Sequence, residues 1–269
     1  MTTHRLAGTL FVLLIPAACC GQAPADKADA PLPQPVKKKE ELKLKHKTFT
    51  FVRIKHTATP ALPGRRGAGR WATDYPDSDH NLTARVAADT GLKTDPLGKV
   101  LELTDPELKK YPFIYLIEPG NMELTDAEAK SLRDYLTGGG FLMVDDFWGE
   151  AEWAHFQEQF KKVFPDKDLK ELPLAHPLFH CFYDLKSKPQ VPSIHAFWTG
   201  RTTERDDAPE PHYRGLTDDK GRLLALICHN TDLGDGWERA DLDPKYFREM
   251  SQRHAYPLGV NIVVYALSQ

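Results

Sequence analysis

Two adjacent carboxylates, Asp145 and Asp146, follow a short apolar run in the sequence. Neighbouring side chains of an extended strand face opposite sides, so one at most points into a given pocket until the chain turns. Such a carboxylate can act as a general base, ligate a metal or anchor a polar ligand. The alternative is structural, because an Asp just before a helix caps free amides and interacts well with the helix dipole.

A second acidic group, Asp232 and Asp235, stands in a glycine-bearing segment that ends at Trp237. Its oxygens suit a hard cation, although no Glu closes the loop at EF-hand distance. A Trp beside carboxylates also suits a sugar. The apolar face of the sugar stacks on the indole ring, and its hydroxyl groups bind the carboxylates. The alternative is a tight turn with Trp237 packed as a lid.

Asp74 and Tyr75 are either part of a turn or part of the same site. Glu118 ends one predicted strand, and Trp148 lies two residues after Asp146. The candidate ligand-binding residues are Asp74, Tyr75, Glu118, Asp145, Asp146, Trp148, Asp232, Asp235 and Trp237.

His176 joins Asp145 and Asp146 as a candidate catalytic residue. His176 and His180 have the spacing of two metal ligands on one helix face, but Pro177 argues against a regular helix there, and packing or turn histidines are the alternative. The sequence contains no zinc-binding spacing and no nucleotide-binding fingerprint, so it identifies no cofactor.

The segment from residue 111 to 149 indicates how these side chains are positioned. Phe113–Ile117 and residues 141–144 are apolar runs typical of strands covered on both faces. Between them, Thr125 and Glu128 match a capping box, which opens a helix that Gly138 follows. A strand, helix, strand order with short connections predicts a right-handed unit in a parallel sheet. Ligands gather at the carboxyl ends of such strands, where Glu118, Asp145 and Asp146 stand.

Other patterns predict the remaining elements. Strands are expected at residues 48–54, 100–103, 193–198 and 223–227, and a turn at 218–221. Helices are expected at 82–90, from 104 onwards, at about 151–163 and at about 244–267.

The first residues have the composition of a signal peptide. His4 and Arg5 precede an apolar run that is too short to span a bilayer, and Cys19 and Cys20 follow small residues. We expect an exported protein, periplasmic or membrane-anchored, with a lipid on Cys19 or Cys20 as the alternative to simple cleavage. The predicted organisation is a signal peptide at 1–20, a Pro/Lys-rich linker at 21–47 and one α/β domain at 48–269.

The composition excludes collagenous, coiled-coil, disulfide-scaffold and wholly disordered proteins. The chain has 269 residues, 35 Lys+Arg against 38 Asp+Glu and a net charge of −3, so its overall charge does not favour binding of nucleic acid.

Only Cys181 and Cys228 lie in the predicted domain, where they either pair or remain buried thiols.

Several motifs resemble a bacterial family, domain of unknown function family 4159. They are residues 111–115, 124–136, 139–146, 232–237 and 258–265, with Asp74-Tyr75-Pro76 before them. The resemblance covers about residues 49–267. It implies similarity to the class I glutamine amidotransferase-like superfamily, a flavodoxin-like three-layer sandwich with a mostly parallel sheet.

Glutaminases of that superfamily carry a nucleophilic Cys in the turn after a Gly-Gly and an apolar strand. In this chain that position falls at about Asp146, and neither Cys181 nor Cys228 matches it. Without a thiolate no acyl-enzyme forms, so we expect no glutamine hydrolysis. Whether the chain is an enzyme stays open.

The leading hypothesis is an exported, non-glutaminase domain that binds a polar small molecule or glycan. One alternative is a carboxylate- or metal-dependent hydrolase of carbohydrate or another envelope component, with Asp146 as base and Asp145 or His176 assisting. The other is a structural envelope lipoprotein with a protein partner.

Overall fold

The computed structural model describes residues 31–37, 41–58, 69–239 and 241–269. The predicted signal peptide, with Cys19 and Cys20, lies outside these residues. Within the described part of the linker, the backbone N–H of Val36 donates to the carbonyl of Phe182, and that of Lys45 donates to the carbonyl of Leu267. No helix in the described ranges is long and apolar enough to cross a membrane.

A seven-stranded sheet organises the domain. Its strands are β1 Thr48–Ile54, β2 Lys93–Leu101, β3 Phe113–Ile117, β4 Phe141–Asp145, β5 Lys170–Glu171, β6 His212–Thr217 and β7 Leu223–His229. The order across the sheet is β2-β1-β3-β4-β7-β6-β5. The first five strands in that order are parallel, which confirms the predicted sheet type. The edge formed by β6 and β5 is antiparallel and was not predicted.

Helices connect these strands. They are α1 Asp77–Thr90, α2 Asp126–Thr137, α3 Gly149–Val163, α4 Ile194–Trp198, α5 Leu233–Glu238, α6 Pro244–Tyr246 and α7 Tyr256–Ser268. A π-helical segment, Phe247–Ala255, joins α6 to α7. Short 3-10 helices span Arg70–Ala72, Pro106–Lys110, Pro119–Asn121 and Pro177–Phe179.

The alternation of side chains along β3 divides the core into two halves. Phe113, Tyr115 and Ile117 pack with apolar residues of α1 and α7 on one face. Ile114 and Leu116 pack with apolar residues of α2 and α3 on the other face. Two helical layers therefore enclose the sheet, and the parallel strands follow the flavodoxin-like order. The predicted fold class, an α/β three-layer sandwich, is confirmed.

One predicted strand is wrong. Residues 193–198 form the short helix α4 instead, because the Ser193 side chain accepts a hydrogen bond from the backbone N–H of Ala196 and caps the helix. The β-branched and aromatic residues of this segment favoured a strand, but the local cap outweighs that propensity.

Other boundaries differ more modestly. Helix α1 begins at Asp77 rather than residue 82, and β2 extends back to Lys93. The start signal at Asp105 opens only one 3-10 segment, Pro106–Lys110. The capping box of α2 forms as predicted, with Thr125 and Glu128 exchanging hydrogen bonds.

Both cysteines of the domain are free thiols. Cys228 is buried in β7, and Cys181 is partly buried. Burial raises the pKa of Cys181 to about 12 and that of Cys228 well above its ordinary value. Of the two alternatives, unpaired thiols are what the structure contains.

Candidate functional site

Strained backbone marks one edge of the sheet. In the described part of the chain, four non-glycine residues have left-handed φ: Asp74 at 60°, Glu118 at 53°, Asp146 at 55° and Asn230 at 61°. Glu118, Asp146 and Asn230 directly follow the carboxyl ends of β3, β4 and β7. Such conformations cost energy and cluster at functional sites, so this edge is the candidate site.

Asp145, the last residue of β4, is fully buried on the same sheet face as Tyr115. Its Oδ2 accepts hydrogen bonds of 3.0 Å from the Tyr115 hydroxyl and from the backbone N–H of Gly234. Burial raises the pKa of Asp145 to about 7, although these hydrogen bonds act in the opposite direction. This carboxyl group therefore titrates near neutrality.

Asp146 does not cap a helix, so that structural alternative is wrong. Helix α3 begins at Gly149 with Trp148 at the N-cap position. The Asp146 Oδ1 instead accepts a hydrogen bond of 3.0 Å from the indole Nε1 of Trp148. Burial, followed by the charges of Glu118 and Glu204, raises the pKa of Asp146 well above its ordinary value.

The turn into α5 contributes two further buried carboxylates. Asp232 Oδ1 accepts from the backbone N–H of Asp235 at 2.7 Å and so caps this helix. Asp235 Oδ2 accepts from the backbone N–H of Ile194 at 2.6 Å and from the Tyr246 hydroxyl at 3.2 Å. Both residues are 4% exposed, and burial raises the pKa of Asp232 well above its ordinary value.

Asp74 enters the site from the loop before α1. Arg53, fully buried in β1, holds this loop by donating to the carbonyls of Trp71 and Thr73, each at 2.9 Å, and by pairing with Asp79. Oδ2 of Asp74 is buried and receives no hydrogen bond. Burial, followed by the charge of Asp235, raises its pKa well above the ordinary value.

Glu118 and Tyr75 lie at more accessible positions. Glu118 pairs with Arg70, yet burial raises its pKa to about 7. Tyr75 is 41% exposed, and its ring lies 6.1 Å from the ring of Trp71 and 5.7 Å from Cζ of Arg53. Tyr75 therefore offers a partly exposed aromatic ring at the position that follows Asp74 in sequence.

Two glutamates that the sequence did not indicate complete the site. Carboxylate oxygens of Asp146, Glu204 and Asp232 lie within 4.8 Å of one another, as do those of Asp74, Asp235 and Glu238. Glu238 was detectable, because it follows Asp235 by three residues on α5. Glu204 comes from a loop without periodicity, so no pattern pointed to it. We call the following set the acidic cluster: Asp74, Glu118, Asp145, Asp146, Glu204, Asp232, Asp235 and Glu238.

Neighbouring arginines compensate only part of the charge of the acidic cluster. Two of them pair with its members, Arg70 with Glu118 and Arg239 with Asp235 and Glu238. Arg53 and Arg205 pair with acids outside it, Asp79 and Glu152. Among the described residues, no basic side chain forms an ion pair with Asp74, Asp145, Asp146 or Asp232. Within the described ranges, these four buried carboxyl groups therefore share one region without a direct ion pair, although the charges of Arg53 and Arg239 act on Asp74 from a distance.

Trp237 lies in the core. Its ring is fully buried, 5.9 Å from that of Tyr115, and its Nε1 donates to the carbonyl of Ala255 at 2.9 Å. A buried ring presents no face to a sugar, so we leave Trp237 out of the proposed site.

The two histidines have other partners. The ring of His176 accepts from the backbone N–H of Leu178 and packs against Tyr265. The nitrogens of His180 lie 2.5 Å from Asp184 Oδ1 and 2.7 Å from the carbonyl of Leu174. Within the described ranges, His176 forms no hydrogen bond or ring contact with a member of the acidic cluster.

Fold and site together define an α/β domain of flavodoxin-like architecture, with polar residues gathered at the carboxyl ends of its parallel strands. The chain belongs to the family described as Domain of unknown function (DUF4159), whose model matches residues 50–267. This match confirms the resemblance seen in the sequence. None of the curated proteins compared with the chain matches it.

Proposed function

We propose that this chain is an exported, non-glutaminase domain whose acidic cluster binds a polar small molecule or glycan. The observation that carries the proposal is a set of buried aspartates that form no ion pair with any basic side chain of the described residues: Asp74, Asp145, Asp146 and Asp232. Burying an uncompensated charge is costly, and the folded chain must hold protons or bind a ligand to offset that cost. Glu204 and Glu238 are only partly buried and give a ligand access to this region.

Tyr75 supports a ligand that has both hydroxyl groups and an apolar face. Its exposed ring lies next to the carboxylate of Asp74 in sequence, and stacking on an aromatic ring combined with paired acceptors is how proteins hold sugars. In this role Tyr75 takes the place that the sequence suggested for Trp237.

The absence of glutaminase chemistry follows from the residue at the strand-to-helix turn. Asp146 occupies that turn with left-handed φ, which Asp tolerates better than most residues. A carboxylate at this turn does not supply the thiolate that the acyl-enzyme of a glutaminase requires.

A thermal-shift panel tests the binding proposal. Wild type, Asp146→Asn and the exposed control Asp166→Asn are heated with sugars, polyols, amines and divalent salts. We expect at least one compound to raise the melting temperature of wild type and Asp166→Asn but not that of Asp146→Asn. Equal shifts in all three proteins, or no shift with any compound, would contradict the proposal.

Export is proposed from the sequence, on the basic start, the apolar run and the small residues before Cys19 and Cys20. Fractionation of cells that express the chain tests it, with Cys19→Ser and Cys20→Ser separating lipid anchoring from simple cleavage. Recovery of the unprocessed chain in the cytoplasm would overturn it.

A hydrolase is the second candidate, because two carboxyl groups of the cluster, Asp145 and Glu118, each have a pKa of about 7. A general acid or base works best near the operating pH. We expect turnover of a glycoside or ester, if the chain is a hydrolase, to disappear in Asp145→Asn and in Asp146→Asn. Inactivity of wild type on these substrates with divalent metals present would count against this candidate.

A further inference from the structure

Part of the segment that the sequence predicts as a linker is docked on the domain. We call its described residues, 32–37 and 41–47, the strap. The backbone N–H groups of Lys45 and His46 donate to the carbonyl of Leu267 at 2.9 and 3.2 Å. Leu267 lies in the last turn of α7, where backbone carbonyls lack partners within the helix. The strap therefore caps the last helix of the domain.

The side chains in the second half of the strap alternate between the domain and solvent. Leu42 and Leu44 are partly buried and pack against the apolar core. Lys43, Lys45 and Lys47 are exposed, and we call them the lysine row. In a flexible linker these charges would move independently, whereas the docked strap presents them together on one side.

The lysine row leads into the edge of the sheet at which the parallel strands begin. Lys47 directly precedes β1, and β2, β3, β4 and β7 run in the same direction as β1. Lys93, the first residue of β2, is exposed and lies opposite Thr48 in the register of the two strands. Lys109, also exposed, shortly precedes β3. Basic side chains therefore gather at this amino-end edge.

The acidic cluster lies at the opposite edge of the sheet. The seven residues of β1 separate the two edges by about 20 Å. Because the Debye length at physiological ionic strength is ~8 Å, the cluster does not cancel the field of the lysine row in solution. Two acids of the amino-end edge have basic partners of their own, since Glu107 pairs with Lys110 at 2.8 Å and Asp218 with Arg222 at 3.5 Å. The sheet thus separates an acidic edge from a basic one.

The docking also shortens the reach of the N-terminal segment. Val36 donates to the carbonyl of Phe182 at 2.8 Å, so the chain is already attached to the domain at this point. Val36 follows Cys20 by 16 positions, which span at most about 55 Å when fully extended. A linker free up to Thr48 would allow about 95 Å. A lipid on Cys20 would therefore keep the strap close to the membrane surface.

We propose that the lysine row binds the anionic headgroups of a lipid bilayer and turns the amino-end edge of the domain toward it. A single acyl chain anchors a protein weakly, and a basic patch beside it supplies the second attachment. The short reach from the cysteines favours a membrane over a soluble polyanion as the partner. The acidic cluster then faces away from the membrane. The inference goes beyond the proposed function and is independent of any ligand of the cluster.

Sedimentation with lipid vesicles tests the proposal. The full chain carries Cys19→Ser and Cys20→Ser, so that no lipid is attached, and is mixed with vesicles of phosphatidylcholine alone or with added phosphatidylglycerol. Attachment through the apolar N-terminal run contributes equally to both. We expect at least about tenfold tighter binding to the anionic vesicles, and loss of this preference at high salt. No preference, or a preference that high salt leaves unchanged, would overturn the proposal.

Two variants with the same loss of charge locate the contact. The strap variant combines Lys43→Gln, Lys45→Gln and Lys47→Gln, which leave the docking backbone N–H groups in place. The control variant replaces three exposed lysines outside the strap and combines Lys55→Gln, Lys130→Gln and Lys245→Gln. Melting temperatures equal to that of wild type show that both variants fold.

The strap variant should bind anionic vesicles at least about tenfold more weakly than wild type, and the control variant should stay within about threefold. Equal affinity of the strap variant and wild type, or equal losses in both variants, would overturn the proposal. Binding of wild type to soluble polyphosphate without binding to anionic vesicles would also overturn it, because the lysine row would then serve a polymer and not a membrane.

Discussion

The indole Nε1 of Trp148 donates a hydrogen bond to Oδ1 of Asp146, 3.0 Å away, within a region of buried carboxylates. Asp146 is held in left-handed φ at the end of β4, so the indole and the backbone together fix where its carboxylate points. Trp148 is itself 4% exposed and has little room to move. The pair thus holds an acidic group at the carboxyl end of a parallel strand, where open α/β sheets bind ligands.

Loss of the indole donor should weaken ligand binding without removing any charge. We predict that Trp148→Phe lowers the affinity for a ligand found in the thermal-shift panel about tenfold, because Asp146 then loses the hydrogen bond that orients it. Titration calorimetry measures this affinity. Trp198→Phe is the control, since Trp198 is 52% exposed and donates to Asp243 instead. Equal affinities in the two variants would refute a positioning role for Trp148.

The stability of the metal-free chain should depend on pH through Asp145. Burial raises its pKa from 3.8 to about 7, so the folded chain holds a proton that the unfolded chain releases between these values. The resulting stabilisation is fully present below about pH 4 and is lost as pH rises through about 7. We expect wild type to lose stability relative to Asp145→Asn between pH 5 and pH 8, measured by urea unfolding. Parallel pH profiles of the two proteins would contradict this expectation.

The buried pair of Arg53 and Asp79 should be essential to the loop that carries Asp74. Arg53→Met leaves Asp79 buried and unpaired and removes the donors to the carbonyls of Trp71 and Thr73. We expect a loss of about 3–5 kcal/mol in the free energy of unfolding. Lys55→Met is the control. Lys55 lies two positions after Arg53 and forms an exposed ion pair with Glu102, so this substitution should cost less than about 1 kcal/mol. Similar losses in both variants would show that Arg53 has no special role.

Gly234 should be required for the close approach of Asp74. A Cβ at this position would lie 2.4 Å from Asp74 Oδ2 and 3.0 Å from the Tyr115 hydroxyl. Gly234→Ala should therefore destabilise the fold by about 1–3 kcal/mol. Adding Asp74→Ala should recover part of the loss, and urea unfolding of the four proteins of this cycle measures the coupling. If the effects of the two substitutions simply add, a Cβ at position 234 does not contact the Asp74 side chain.

Much of the parallel sheet was predictable because its strands are short apolar runs. The runs that became β3 and β4 flank a helix that begins at a capping box and ends at glycines, and these local signals agree with the tertiary structure. Their carboxyl ends then placed Glu118, Asp145 and Asp146 at one edge. The antiparallel strand β6 was missed because His212, Arg214 and Gly215 obscure its alternation.

The rest of the site depends on contacts distant in sequence. Asp74 reaches the cluster because Arg53 binds Asp79, 26 residues later, and no periodicity reports such a pair. Glu204 lies in a loop and is fixed by the backbone of Ser193. Trp237 shows the opposite failure, since a Trp beside two acids suggested a ligand surface but its ring fills the core. Composition and spacing thus identified most of the acids but not their partners.

The most direct test of a binding role for the acidic cluster is the free energy of unfolding of Asp146→Asn at pH 8 without metal or ligand. Asn retains the acceptor for Trp148 and tolerates left-handed φ, so the change removes charge and little else. Carboxylates kept together for a ligand repel one another when it is absent, so neutralising one should stabilise the chain by about 1 kcal/mol, or about 2–4 °C in Tm. A loss of about 1 kcal/mol or more would contradict the account and make Asp146 a structural residue.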